Sequence, residues 1–177
     1  MNRKVLSYEL AGIVFILLLG SVLHFTFEWS GNQPIVGVFS AVNESVWEHL
    51  KLAFWPALLF ALIEYVPLKR VANNFVFAKT VGVYVMVAVI PSIFYSYTAL
   101  AGESLLAVDI GSFVIAVIVG QLLSYKLLTY HSLSQKLAWV SLFFFALLAV
   151  LFAVFTFYPP HIQIFQDSPT GGYGIPT

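Results

Sequence analysis

The chain has 177 residues, 60% hydrophobic and 9% charged, with eight basic and eight acidic side chains and no formal net charge. A water-soluble domain carries roughly 25% charged residues, so these few cannot solvate a globule of this size, and the solvent has to be lipid. The charge balance offers no basic field for nucleic acid, and the absence of cysteine excludes disulfides, thiolate metal sites and cysteine nucleophiles.

Arg3 and Lys4 precede an apolar run over residues 10–27, broken only by small residues and His24. About 20 such residues cross a bilayer as a helix, which predicts a first span near residues 6–28. Glu9 and the lack of an Ala-x-Ala site argue against a cleaved leader. Gly31, Asn32 and Pro34 then stop the helix. Residues 35–42 are apolar but too short to span, which predicts a re-entrant or interfacial segment.

Ser45-x-x-Glu48 has the form of a capping box and opens a second span, residues 45–66. Pro67, Lys69, Arg70, Asn73 and Asn74 make the following turn. The third span covers residues 75–99, with Pro91 expected to kink it. The fourth covers residues 104–127 and the fifth 137–158, where Pro159-Pro160 ends it. Residues 159–177 form a tail whose Ile162, Ile164, Phe165 and Tyr173 predict order. The expected fold is a single all-α integral membrane bundle of five transmembrane helices, without an internal repeat.

Seven of the eight Lys and Arg residues flank alternate loops, with Lys51 the exception. That asymmetry predicts a cytoplasmic amino terminus and an outer tail in the cell membrane. His24, Glu28, Glu44, Glu48, His49, Asp109 and His161 then all fall on the outer side. His24 and His49 lie at matched depth, about 5 to 6 Å inside their helix ends. Imidazoles and carboxylates projecting from neighbouring helices are how bundles build metal sites. The candidate ligands are His24, Glu28, His49 and His161, holding a divalent metal such as zinc, with Glu48 or Glu44 as general base. No ligand pair has a spacing diagnostic of one metal.

Each of these residues also has a structural role open to it. Glu48 can complete the capping box, and Glu28 and Glu44 can sit in interfacial water. Lys51 and Asp109 both lie roughly 7 to 8 Å below the outer boundary, which predicts a structural ion pair. The four tryptophans are expected in the interfacial belt and in packing, Glu64 is within reach of Lys69, and His131 is a loop residue. The tail is expected to fold back as a lid, bringing Asp167 and Tyr173, with His161, toward the second span.

The stretch Asn43-Glu44-Ser45-Val46-Trp47-Glu48-His49-Leu50-Lys51, the earlier His24-Phe25-x-x-Glu28-Trp29 and the tail His161-Ile-x-Ile-Phe-x-Asp167 resemble a group of small multi-pass membrane proteins of bacteria and archaea. That group carries the label of a domain of unknown function, and the resemblance covers nearly the whole chain. It implies an integral membrane protein and no catalytic residues. Three functional classes stay open. The first is a non-catalytic scaffold or partner subunit, as a homo-oligomer or beside another membrane protein. The others are a metal-dependent hydrolase or transferase with its site at the outer leaflet, and a small transporter or channel.

Overall fold

The computed structural model describes residues 2–176, so Met1 and Thr177, the last residue of the expected tail, lie outside the described residues. The chain forms α1 (Arg3–Trp29), α2 (Pro34–Gly37), α3 (Val46–Leu68), α4 (Phe75–Ala101), α5 (Leu106–Leu128) and α6 (Gln135–Phe157). No strand occurs among the described residues, only an isolated antiparallel bridge between Gln166 and Tyr173. The five helices other than α2 are long and apolar enough to cross a membrane.

Local chemistry sets the helix ends. Asn2 Oδ1 accepts the Val5 N–H at 3.3 Å and caps α1. At the other end Gly31 and Asn32 adopt φ values of +72° and +61°, left-handed backbone that no helix can continue through. Between α3 and α4, Asn74 takes φ +53° while its side-chain amide bridges to the α5–α6 connection: Nδ2 donates to Leu127 O and His131 O, and Oδ1 accepts from Leu133 N. Pro67 falls inside the last turn of α3, which ends at Leu68, two residues after the expected stop.

Within the bundle α1 packs on α3 and α5, and α4 packs on α3, α5 and α6. The helices approach closely where side chains vanish. A Cβ added to Gly120 would lie 2.7 Å from Gly82 O, and one added to Gly20 would lie 2.6 Å from Leu52 O. Small residues at such crossings are how helices associate where lipid removes the hydrophobic drive between them. The packed centre holds Ile16, Leu50, Phe54, Met86, Val117 and Phe152, while Leu18, Leu106 and Phe143 face outward. Apolar side chains thus occupy both the inside and the outside, the pattern a bilayer requires.

Residues 33–42 run from an exposed turn at Ile35 to a buried stretch at 40–42. Ser40 Oγ accepts the Phe27 N–H at 3.0 Å, and Trp55 Nε1 donates to Val38 O at 2.9 Å, which tucks the segment beside α1 and α3. The tail folds back over the amino-terminal end of α3 through a one-turn 3-10 helix, Gln163–Phe165. Phe165 packs against Trp47 with ring centroids 4.7 Å apart and planes tilted by 42°, and Asn43 Nδ2 donates to Gly174 O at 2.8 Å. Trp47 is therefore a packing residue of the core, only 9% exposed.

Candidate metal centre

The site is built on the turn that begins α3. Ser45 caps the helix in an extended conformation, with its Oγ accepting the Glu48 N–H at 3.4 Å. Asn43 Oδ1 accepts the Ser45 N–H at 2.9 Å, and Asp167 Oδ1, from the tail, accepts the Glu44 N–H at 2.8 Å. Two side chains thereby hold the backbone on either side of Glu44, and its carboxylate is aimed at His49, one turn into α3.

His49 is oriented from both sides. Its Nδ1 lies 2.8 Å from Ser45 O, which can only accept, so Nδ1 carries a proton. Its Nε2 lies 3.4 Å from Glu44 Oε2, a second acceptor. An imidazole flanked by two acceptors is satisfied either as imidazolium or with a cation between Nε2 and the carboxylate. The spacing suits the second arrangement, because nitrogen and oxygen ligands about 2.0 to 2.1 Å from a tetrahedral ion lie about 3.3 Å from each other. The Nδ1 contact to a carbonyl is also the usual support behind a metal-ligating histidine.

His24 arrives from the last two turns of α1, stacked on Phe25, with its ring centroid 5.2 Å from that of His49. One ligand atom from each of His24, Glu44 and His49 lies within 4.8 Å of the other two. Glu44 lies below the ordinary carboxylate range, chiefly through its hydrogen bond to His49, with burial opposing. The three residues border a cavity of about 630 Å³ between α1, α3, α4 and α5. Its wall is mainly apolar, with Leu52, Ile90 and Phe113 prominent, and Asp109, Ser168 and Pro169 join the lining.

Other expected site residues stand elsewhere. Glu28, one turn past His24, is exposed. His161 is exposed and stacks on Tyr173 with centroids 4.6 Å apart, outside the His24, Glu44 and His49 group. Glu48 is buried on a different face of α3, where it accepts the Val42 N–H at 3.0 Å and contacts Lys51 Nζ at 2.5 Å. It is 2% exposed and belongs neither to the cavity lining nor to the His24, Glu44 and His49 group.

The expected Lys51–Asp109 ion pair gives way to other partners. Lys51, fully buried, satisfies its three donors with Glu48, with Gly37 O at 2.6 Å and with Thr156 Oγ1 at 2.8 Å. Glu48 stands three residues away on the same helix, so it reaches the ammonium before any group on α5 does. Asp109 instead accepts from the Tyr97 hydroxyl, which itself accepts the Leu105 N–H at 3.1 Å. Asp167 and Tyr173 do lie in the folded-back tail, Asp167 tying it to Glu44 and Tyr173 closing its bridge to Gln166.

One grouping of charges was not expected. Glu64 pairs with Lys79 and not with Lys69, and Lys79 also binds Glu9, all three buried among α1, α3 and α4.

A family model described as a family of unknown function (DUF6512) matches residues 1–175, and the chain belongs to that family. No curated protein and no solved structure matches it.

Proposed function

For this member of a family of unknown function, we propose an integral membrane protein that holds a divalent metal ion of the zinc class through His24, Glu44 and His49. Its role is that of a metal-dependent hydrolase or transferase. The observation that carries the reading is the convergence of two imidazoles and one carboxylate, from α1 and the start of α3, at the mouth of a largely apolar cavity. Three protein ligands with a fourth position open are the catalytic form of a zinc site, in which the bound water loses a proton near neutral pH. The cavity would take the apolar part of a lipid-linked substrate. Asp109 on its wall is the candidate general base, in place of Glu48, and Glu44 serves as ligand. The Lys and Arg distribution supports an orientation with this mouth on the outer leaflet.

Closing the ligand set from a 4.8 Å spread to the roughly 3.3 Å edge of a tetrahedron needs about 1.5 Å of side-chain movement, within the reach of one His24 rotamer change. Zinc titration of the purified protein, followed by calorimetry and by metal analysis after gel filtration, tests the reading. One ion per chain is expected, lost in His24→Ala and His49→Ala and retained in His161→Ala. Zinc held equally by all of these variants, or by none including the wild type, refutes it.

A non-catalytic scaffold is the second reading, favoured by one observation: Glu44 and an imidazolium at His49 already form a complete ion pair. In that case the folded wild type takes up no zinc, and Glu44→Gln removes only the pairing with His49, leaving the tail docked through the Glu44 backbone.

A further inference from the structure

At the opposite end of the bundle from His24, three ionisable side chains are sealed in the packing. Glu9 (α1) and Glu64 (α3) are fully buried and Lys79 (α4) nearly so, 7% exposed. The ammonium contacts one oxygen of each carboxylate. Beyond that contact, the remaining oxygen of Glu9 and the remaining oxygen of Glu64 receive no hydrogen bond, although they are sealed from solvent. Ser124 Oγ (α5) is buried beside Glu9 and, among the described residues, is the one neutral hydroxyl facing that carboxyl.

Fully ionised, this set carries two negative charges against one positive. No further charge answers the excess. The α5 face brings neutral groups, Ser124 and Gln121, whose Nε2 donates to Glu9 O at 3.4 Å. The adjoining layer of Val5, Leu68, Ala78 and Leu128 adds only the phenols Tyr8 and Tyr125. Lys126 of α5, Lys136 of α6 and the other basic residues at that end of the bundle, Arg3, Lys4, Lys69 and Arg70, are exposed. An uncompensated charge in apolar packing is removed most simply by a proton, which also supplies a donor to an oxygen that lacks one.

We propose that Glu9, Glu64 and Lys79 form a proton-binding site, in which one exchangeable proton is shared by the two carboxyl groups and makes the set electrically neutral. With the proton in place, an O–H on one carboxyl donates to an oxygen of the other, and α1, α3 and α4 are held together. When it leaves for solvent, a net negative charge stays behind and this end of the bundle loosens. The site is independent of the metal centre and has its own readout.

Infrared difference spectroscopy of the full chain in lipid nanodiscs, stepped from about pH 6 to about pH 10, tests it. The wild type is expected to show the carbonyl band of a protonated carboxyl near neutral pH, shifted in deuterium oxide and lost as pH rises. Glu9→Gln and Glu64→Gln should each abolish that band, because the surviving carboxylate is then balanced by Lys79. Both variants should keep the wild-type melting temperature at neutral pH and lose its decline at high pH. Absence of the band in the wild type, or its survival in both variants, overturns the proposal. So does thermal stabilisation by sodium in place of the band, which would make the set a metal-cation site.

Discussion

Replacing Lys51 with methionine keeps most of the side chain's bulk and removes its charge. In the native bundle the ammonium contacts Glu48 at 2.5 Å, Gly37 O at 2.6 Å and Thr156 Oγ1 at 2.8 Å, in full burial. It is the point at which residues 33–42, α3 and α6 are tied together. Once it is gone, Glu48 keeps only the Val42 N–H at 3.0 Å, and its charge is sealed in apolar packing. Removing one partner of a buried pair costs about 3–5 kcal/mol, more than the roughly 0.5–1.5 kcal/mol of each lost neutral hydrogen bond. The orphaned carboxylate therefore dominates. Equilibrium unfolding in mixed micelles should show a loss of that size for Lys51→Met, and most of it should return in Lys51→Met with Glu48→Gln. Adding Asp109→Asn to Lys51→Met should restore nothing, since Tyr97 is the partner of Asp109. Rescue by Asp109→Asn and not by Glu48→Gln, or a Lys51→Met loss below about 1 kcal/mol, would refute the reasoning.

Three further outcomes follow from other parts of the molecule. Gly120→Ala places a Cβ 2.6 Å from Met86 Cγ and 2.7 Å from Gly82 O, so α4 and α5 must separate. A destabilisation of about 1–3 kcal/mol is expected in the same unfolding assay, and a neutral effect would contradict the close approach. Asp167→Ala removes the acceptor that the Glu44 N–H meets at 2.8 Å, and limited proteolysis should then cut the tail faster, while an unchanged rate would show that Phe165 on Trp47 suffices. The last concerns acid. Glu44 is held below the usual carboxylate range by His49, so its contribution to stability is complete above that range and disappears as pH falls through its own lower value. Melting temperatures taken from about pH 6 down to about pH 3 should fall less steeply for Glu44→Gln than for the wild type, and parallel curves would rule the contribution out.

Apolar run length and turn chemistry are one-dimensional properties, so the five spans could be read from the residue order. The depth of a side chain is also one-dimensional, which is why His24 and His49 could be matched across two helices. Rotation about the helix axis could not be read the same way. Lys51 and Asp109 share a depth, yet Lys51 turns toward Glu48, its own neighbour three residues back. Glu28 shares a face with His24 but stands one turn further out, among exposed residues, while Glu44 is folded back from a loop whose path is set by Asn43 and Asp167. Nothing in the local order of residues 43–45 announces a contact with residue 167. The Glu9, Glu64 and Lys79 set depends on which three helices meet, and its signal in the sequence was charge standing within predicted spans. Which tryptophans would pack and which would stay in the belt was not legible either, because the Phe165 that closes the core over Trp47 comes from the distant tail.

X-ray absorption spectroscopy of the zinc-loaded protein addresses the central claim most directly. The account predicts a first shell of two imidazole nitrogens at about 2.0–2.1 Å and light oxygen ligands at about 2.0–2.2 Å, with one imidazole's outer-shell scattering lost in His24→Ala and in His49→Ala. A shell made only of oxygens, or an imidazole pair that persists in both variants, would contradict a metal centre at the meeting of α1 and α3.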